Sequence, residues 1–136
     1  MRAVILSLTL LGPLPAAALE LDCVADLACV TTMGDCQTTT VPFDLRVGDK
    51  VGDKVILTDE DGQSLYEFRR LADSDGTVLQ ASGGAMEAGQ GAGAMSIFDD
   101  LRFVLTRHAR LDLDAATGQS EVVAITIQGS CTEPQE

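Results

Sequence analysis

Residues 41–47 read Val-Pro-Phe-Asp-Leu-Arg-Val, so apolar side chains occupy every second position of this segment. The charged residues Asp44 and Arg46 stand between its last three apolar residues. Alternation with a period of two is typical of a β-strand that buries one face and exposes the other. The segment therefore predicts a strand whose odd-numbered side chains point into a core.

The same pattern returns near the end of the chain. Val123, Ile125 and Ile127 share one face of a predicted strand, and Ala, Thr and Gln occupy the positions that follow them. Cys131 has the parity of this apolar face, which predicts that its sulfur points toward the core and forms a structural bridge.

Short runs of the same kind, separated by turn residues, fill most of the remaining chain. They lie at 21–30, 51–58, 65–71, 77–81, 95–98 and 102–113. Asp- and Gly-containing segments at 60–62, 73–76 and 114–118 suit hairpin connections. Seven or eight short strands joined in this way predict an all-β antiparallel meander, folded as a small barrel or as a sandwich.

One segment allows two interpretations. Ser96 followed by Asp99 resembles a helical capping box, and apolar residues follow it at helical spacing. If the segment is a strand, one of its faces carries Arg107 and otherwise only apolar side chains. Those apolar residues are Phe103, Leu105, Ala109, Leu111 and Leu113. We favour the strand because the final β run needs an antiparallel neighbour, which the turn at 114–118 would connect to it.

Two stretches have unusual composition. Residues 82–94 contain five glycines and bring little side-chain volume, so we expect a mobile Gly/Ala-rich loop. The tetrapeptide Gly-Asp-Lys-Val occurs at 48–51 and again at 52–55, which indicates a short duplication that lengthens a turn or an edge strand.

The first eighteen residues have the features of a secretory signal peptide. Arg2 precedes an apolar run over 3–11, which Gly12 and Pro13 interrupt before an Ala-rich site at 16–18. The run is too short to span a bilayer, which needs about 20 apolar residues. We therefore expect cleavage, a single domain over residues 19–136 without stable membrane insertion, and a periplasmic or secreted location.

All four cysteines lie in the expected mature part, at Cys23, Cys29, Cys36 and Cys131. An even number of cysteines in an oxidising compartment predicts two disulfides. Three connectivities are open, and we favour Cys29 with Cys36 and Cys23 with Cys131. The spacings do not resemble the paired cysteines of zinc sites.

The charge balance restricts the partners. The expected mature part carries 8 basic and 21 acidic side chains. Such a surface repels nucleic acid, because nucleic-acid binding depends on the neutralisation of phosphates by Lys and Arg. A basic protein is the partner that this charge favours.

Candidate chemical groups are few. Asp59, Asp61, Asp73 and Asp75 are weak candidates for a hard cation such as Ca2+, although Asp and Gly also suit plain turns. His108 is the single histidine and lies on the outward parity of its strand. No nucleophile motif accompanies it, so we expect neither an enzyme nor a cofactor.

The layout gives two resemblances. The order of segments in this chain resembles that of uncharacterised exported proteins of proteobacterial type. The order is a signal peptide, an N-terminal segment with Cys23, Cys29 and Cys36, alternating strands, and a final Gly-Ser-Cys. Ala81-Ser82-Gly83 resembles the Ser-Gly inhibitory loop of the periplasmic lysozyme inhibitors, which are small disulfide-containing barrels. This second resemblance implies a loop interaction site at Ser82 and Gly83.

These observations lead to an exported, non-enzymatic β domain that binds a protein or serves in the cell envelope. The alternatives are a carrier of a small ligand or Ca2+, and an inhibitor of a basic lysozyme-type enzyme. A hollow barrel would favour the carrier, whereas a filled barrel would leave function to the outer surface and the loops.

Overall fold

The chain forms a closed barrel of eight antiparallel strands, described by a computed structural model for residues 18–31, 34–86, 91–114 and 116–135. Each strand pairs with its neighbours in the sequence, and β8 pairs with β1 to close the barrel. The strands are β1 (Leu19–Val30), β2 (Asp35–Val47), β3 (Lys54–Thr58), β4 (Ser64–Arg70), β5 (Thr77–Ala85), β6 (Ala92–Phe98), β7 (Arg102–Asp114) and β8 (Gln119–Thr132). The predicted all-β antiparallel meander is confirmed, as a barrel.

Residues 1–17 of the predicted signal peptide lie outside the described residues. In the ranges that the structure does describe, no helix has the length and hydropathy needed to cross a membrane.

Alternating side chains build the core, as the sequence predicts. Phe43, Leu45 and Val47 on β2 are at most 6% exposed and pack with inward residues from the other strands. Each large apolar side chain buried in this way stabilises the fold by about 1.5 to 3 kcal/mol. Val41 is an exception, since it is 50% exposed although it shares their parity. It lies on the part of β2 that extends beyond the pairing with β3, which ends at Asp44, so parity predicts its direction but not its burial.

Residues 102–114 form a strand, which settles the choice between strand and helix for this segment. Phe103, Leu105 and Ala109 are buried on the inward face. Arg107 shares that face, because it lies opposite Ile125 of β8 and Gly93 of β6 in the strand register. An arginine therefore occupies an inward position of the barrel.

The prediction of a mobile loop over 82–94 is wrong at both ends of the segment. Residues 82–85 belong to β5 and residues 92–94 to β6, with Gly83 directly opposite Gly93. A Cβ atom on Gly83 would lie 2.3 Å from the carbonyl oxygen of Glu67. The glycines thus permit close approach of neighbouring strands. From composition alone, glycines with this function cannot be told apart from glycines in a disordered loop. Residues 87–90 lie outside the described residues.

The duplicated tetrapeptide forms the connection from β2 to β3. The backbone N–H of Asp53 donates to the carbonyl of Lys50 at 3.0 Å, which closes a turn within the repeat. Val51 of the first copy is 69% exposed, whereas Val55 of the second copy enters β3 and is fully buried. The duplication therefore lengthens a turn, one of the two predicted possibilities. The two copies of the tetrapeptide have the same sequence but different conformations.

Both disulfides join residues that face each other on adjacent strands. Cys23 on β1 and Cys131 on β8 are bonded across the seam that closes the barrel, with both side chains in the core. Cys29 and Cys36 link β1 to β2 near their connection. The favoured pairing is confirmed. The seam bridge ties together strands that are 108 residues apart in the sequence.

Candidate functional site

An apolar cavity of about 170 Å³ lies at one end of the barrel interior, and we call it the end pocket. Its walls come from three pairs of strands, β1 with β2, β3 with β4, and β7 with β8. The lining residues are Ala25, Ala28, Thr39, Val41, Phe43, Leu57, Leu65, Tyr66, Leu105 and Ile127. Its volume is close to that of apolar cavities that hold one molecule of the size of benzene.

Two irregularities in strand pairing shape the end pocket. In β1 the register shifts between Ala25 and Leu27, so that the inward parity moves from Ala25 to Ala28. In the pairing of β3 with β4 the register shifts beside Leu65, an exposed position that nevertheless lines the cavity. Such bulges redirect side chains at barrel ends and next to binding sites.

The mouth of the end pocket is bordered by exposed apolar side chains. Val41 is 50% exposed and Leu65 is 38% exposed, and both line the cavity. Met86 is 54% exposed and lies beside Leu65, because its backbone N–H donates to the carbonyl of Leu65 at 2.9 Å. We call these three residues the rim. Apolar surface around an apolar opening is typical of a site that an apolar partner enters.

One polar pair adjoins the end pocket through Tyr66, which lines the cavity. The Nη1 of Arg107 donates a hydrogen bond to the Oη of Tyr66 at 2.6 Å, and the guanidinium lies 6.0 Å from the centre of the tyrosine ring. The Tyr66 ring itself stacks on Phe68 with centroids 5.8 Å apart. These two contacts hold the Tyr66 side chain in place.

The arginine is only partly satisfied. Its Nε is buried, and among the described residues nothing accepts a hydrogen bond from it. Arg107 lies between the main core, which contains Leu105, and a smaller apolar cluster that contains Ile125. A charge beside apolar groups is costly unless a partner compensates it.

Larger depressions lie on the outer face of the barrel. One of about 320 Å³ includes Asp26 and Arg102, and another of about 360 Å³ includes Asp44 and Arg46. These charged side chains are exposed and belong to the outward face of their strands. The end pocket instead has a concave wall that is almost wholly apolar, and apolar side chains form most of the lining of small-molecule sites.

The residues that the lysozyme-inhibitor resemblance pointed to do not form a loop. Ser82 and Gly83 lie within β5, where they pair with β4 on one side and with β6 on the other. Ser82 is exposed, but Gly83 lies against the backbone of Glu67 and Phe68. The predicted loop interaction site is therefore corrected to part of the sheet.

The acidic turns have structural partners. Asp59 accepts hydrogen bonds from the backbone N–H groups of Asp61 and Gln63, at 3.1 and 2.8 Å. Asp73 forms an ion pair with Arg70 at 3.1 Å, whereas Asp75 is exposed. Within the described ranges, no three His, Cys, Asp or Glu side chains come together as metal ligands would. The carboxylates of Asp59 and Asp73 thus have partners within the fold.

His108 is exposed on the outer face of β7, as its parity predicted. No family of known proteins, no curated protein and no solved structure matches this chain. The assignment of the site therefore depends on the geometry of its own residues. The sequence did not identify Tyr66, although Arg107 was visible as the one charged residue on an otherwise apolar face.

Proposed function

We propose that this chain is an exported, non-enzymatic carrier that holds a small, largely apolar ligand in the end pocket. The observation that supports it is an apolar cavity of about 170 Å³ inside the end of a closed barrel, opening at an apolar rim. The cavity is small, so we propose a ligand no larger than a six-carbon ring or a short chain. Two disulfides fit a location outside the reducing cytosol.

Binding of benzene tests this proposal without any contribution from charge. We expect the chemical shifts of methyl groups to change on addition of benzene, with the largest changes at Leu57, Leu105 and Ile127. Thermal stability should also rise with benzene concentration, because a ligand that binds the folded state alone stabilises it by mass action. Nuclear magnetic resonance titration measures the first effect and calorimetry the second.

A matched pair of variants locates the binding. Ala28→Leu adds bulk to the wall of the end pocket and should abolish the benzene-dependent shifts, because Ala28 lines the cavity. Val51→Leu adds volume at an exposed position of the β2–β3 turn and should leave them unchanged. Retained binding in Ala28→Leu, or shifts scattered over the surface, would contradict the proposal.

Binding of a basic protein is a second candidate, supported by the outer face of β1 and β2. Asp22 lies directly opposite Asp44, and Asp26 is a further exposed acidic residue of β1. Like charges directly opposite each other destabilise a sheet, so this placement has a cost that attraction to a basic partner would offset.

A basic lysozyme serves as the probe for this second candidate. Replacing Asp22 and Asp44 with Asn should weaken its binding several-fold at low salt, and about 1 M salt should abolish binding because the screening length falls to about 3 Å. Isothermal titration calorimetry measures both effects. The double variant Asp73→Asn with Asp75→Asn removes the same amount of charge from another part of the surface. If it weakens binding equally, the effect comes from net charge and not from the face of β1 and β2.

A further inference from the structure

The strand β2 is paired on one side only over most of its length. It pairs with β1 over residues 35–47, but its pairing with β3 covers only residues 44–47. A gap therefore lies beside residues 35–43, where the described part of the chain supplies no second neighbouring strand. The backbone N–H and C=O groups along such an edge can pair with an added strand.

The spacing of Cys29 and Cys36 shows which residues present these groups. Their Cα atoms are 4.1 Å apart. Opposite residues of antiparallel strands lie about 4.5 Å apart where they exchange no backbone hydrogen bonds, and about 5.5 Å apart where they do. The N–H and C=O of Cys36 therefore point away from β1 into the gap, and those of Thr38, two positions further, do the same. Pro42 has no N–H and ends the segment available for pairing. We call residues 35–41 the open edge.

The end pocket lies directly beside the open edge. Thr39 and Val41 line the cavity from β2, and Leu57 and Leu65 line it from β3 and β4. Val41 and Leu65 are exposed, so the cavity opens beside the point where β3 ends. A strand added to β2 would take the place of a longer β3, and every second side chain of it would point toward the barrel interior. One apolar side chain of the size of benzene would match the cavity volume.

The charges around the gap indicate the chemistry of the partner. Residues 36–43 carry no charged side chain, whereas Asp35 and Asp44 are exposed at their two ends. Glu60 and Asp61 add exposed carboxylates in the turn after β3. An uncharged segment with basic residues on both sides complements this distribution. A second copy of this chain fits less well, because it would bring its own acidic ends to the gap and its edge side chains already line its own cavity.

We infer that the end pocket receives an apolar side chain of an extended, basic polypeptide segment that adds to the open edge. The backbone of the segment pairs with Cys36 and Thr38, and its basic side chains lie near Asp35 and Asp44. The inference rests on the proposed function, because it requires the end pocket to accept an apolar group. It deepens that function by naming a polypeptide side chain as the group.

A heptapeptide with the sequence Lys-Thr-Thr-Phe-Thr-Thr-Lys and blocked ends tests the inference. Its Phe and its Lys side chains point to opposite faces when the peptide is extended. Replacing the Phe of the peptide with Ala should weaken binding at least about tenfold, because burial of the ring is lost. Replacing both Lys with Glu should weaken binding several-fold at low salt, and the difference should shrink at about 1 M salt. Isothermal titration calorimetry gives these affinities.

Amide hydrogen exchange shows whether the peptide adds as a strand. The amides of Cys36 and Thr38 should exchange more slowly when the peptide is bound, because they gain acceptors. The amide of Gln37 points toward β1 and should keep its exchange rate. Thr38→Pro removes one donor and should weaken peptide binding about tenfold while benzene binding remains. Thr38→Ala keeps the donor and should retain the peptide affinity of the wild type.

The outcomes separate this inference from the proposal beneath it. Binding of benzene without the Phe peptide, or equal affinities for the Phe and Ala peptides, would overturn the inference alone. Failure of both benzene and the Phe peptide to bind would overturn the carrier function as well. If Thr38→Pro does not fold, hydrogen exchange in the wild type decides, and an unchanged rate at Thr38 with bound peptide would overturn the inference. Protection of Thr38 without peptide that rises with protein concentration would assign the open edge to a second copy and also overturn it.

Discussion

Replacing both Cys23 and Cys131 with alanine is expected to lower the free energy of unfolding by about 5 kcal/mol. The bridge connects residues separated by 108 positions. In the chain-entropy model, closing a loop of this length reduces the conformational entropy of the unfolded chain, which stabilises the folded state by about 5 kcal/mol. A small domain has a total free energy of unfolding of about 5 to 15 kcal/mol, so this loss is a large part of the total. Urea denaturation monitored by circular dichroism measures it.

The second disulfide provides the control. Cys29 and Cys36 are only seven positions apart, so the same model gives about 2.5 kcal/mol for the corresponding double alanine variant. The seam variant should therefore be the less stable of the two by about 2 kcal/mol. Equal losses in both variants would contradict the entropic account of the seam bridge.

Phe103→Ala is expected to destabilise the protein by about 4 kcal/mol, as truncation of a buried phenylalanine usually does. The ring is 1% exposed and meets Phe43 edge to face, with centroids 5.3 Å apart. Its space depends on Gly129, since a Cβ atom there would lie 2.8 Å from Cε1 of Phe103. The same denaturation experiment gives the difference in free energy.

A conservative variant and a double-mutant cycle separate volume from ring geometry. Phe103→Leu retains most of the apolar volume and should cost less than Phe103→Ala, because less of a cavity remains. A cycle with Phe43→Leu should give a coupling of about 0.5 to 1.5 kcal/mol, the usual range for an aromatic pair. A coupling near zero would show that the edge-to-face contact adds nothing beyond burial.

Much of the fold followed from local patterns that the chain carries itself. The alternation around Phe43 and Leu45 predicted which side chains enter the core, and the parity of Cys131 predicted its inward sulfur. These predictions succeed because a strand places successive side chains on opposite faces, whatever its partner is. The choice of a strand for residues 102–114 was correct for the same reason.

Such local patterns did not predict most of the candidate site. Arg107 could be placed on the inward face from the sequence, but its partner Tyr66 lies 41 positions away on β4. Only barrel closure brings the two side chains together. The bulge after Ala25, which turns Ala28 into the end pocket, likewise depends on how β1 pairs with strands on both sides.

The sequence by itself determined the strand pattern, the inward parity of the core residues and the number of cysteines available for bridging. The tertiary structure decided that Val51 is exposed while Val55 is buried, and that glycines at 83 and 93 lie in paired strands. Side-chain alternation is a property of one strand, whereas register shifts, close backbone approach and the open end of a barrel depend on contacts between strands distant in sequence.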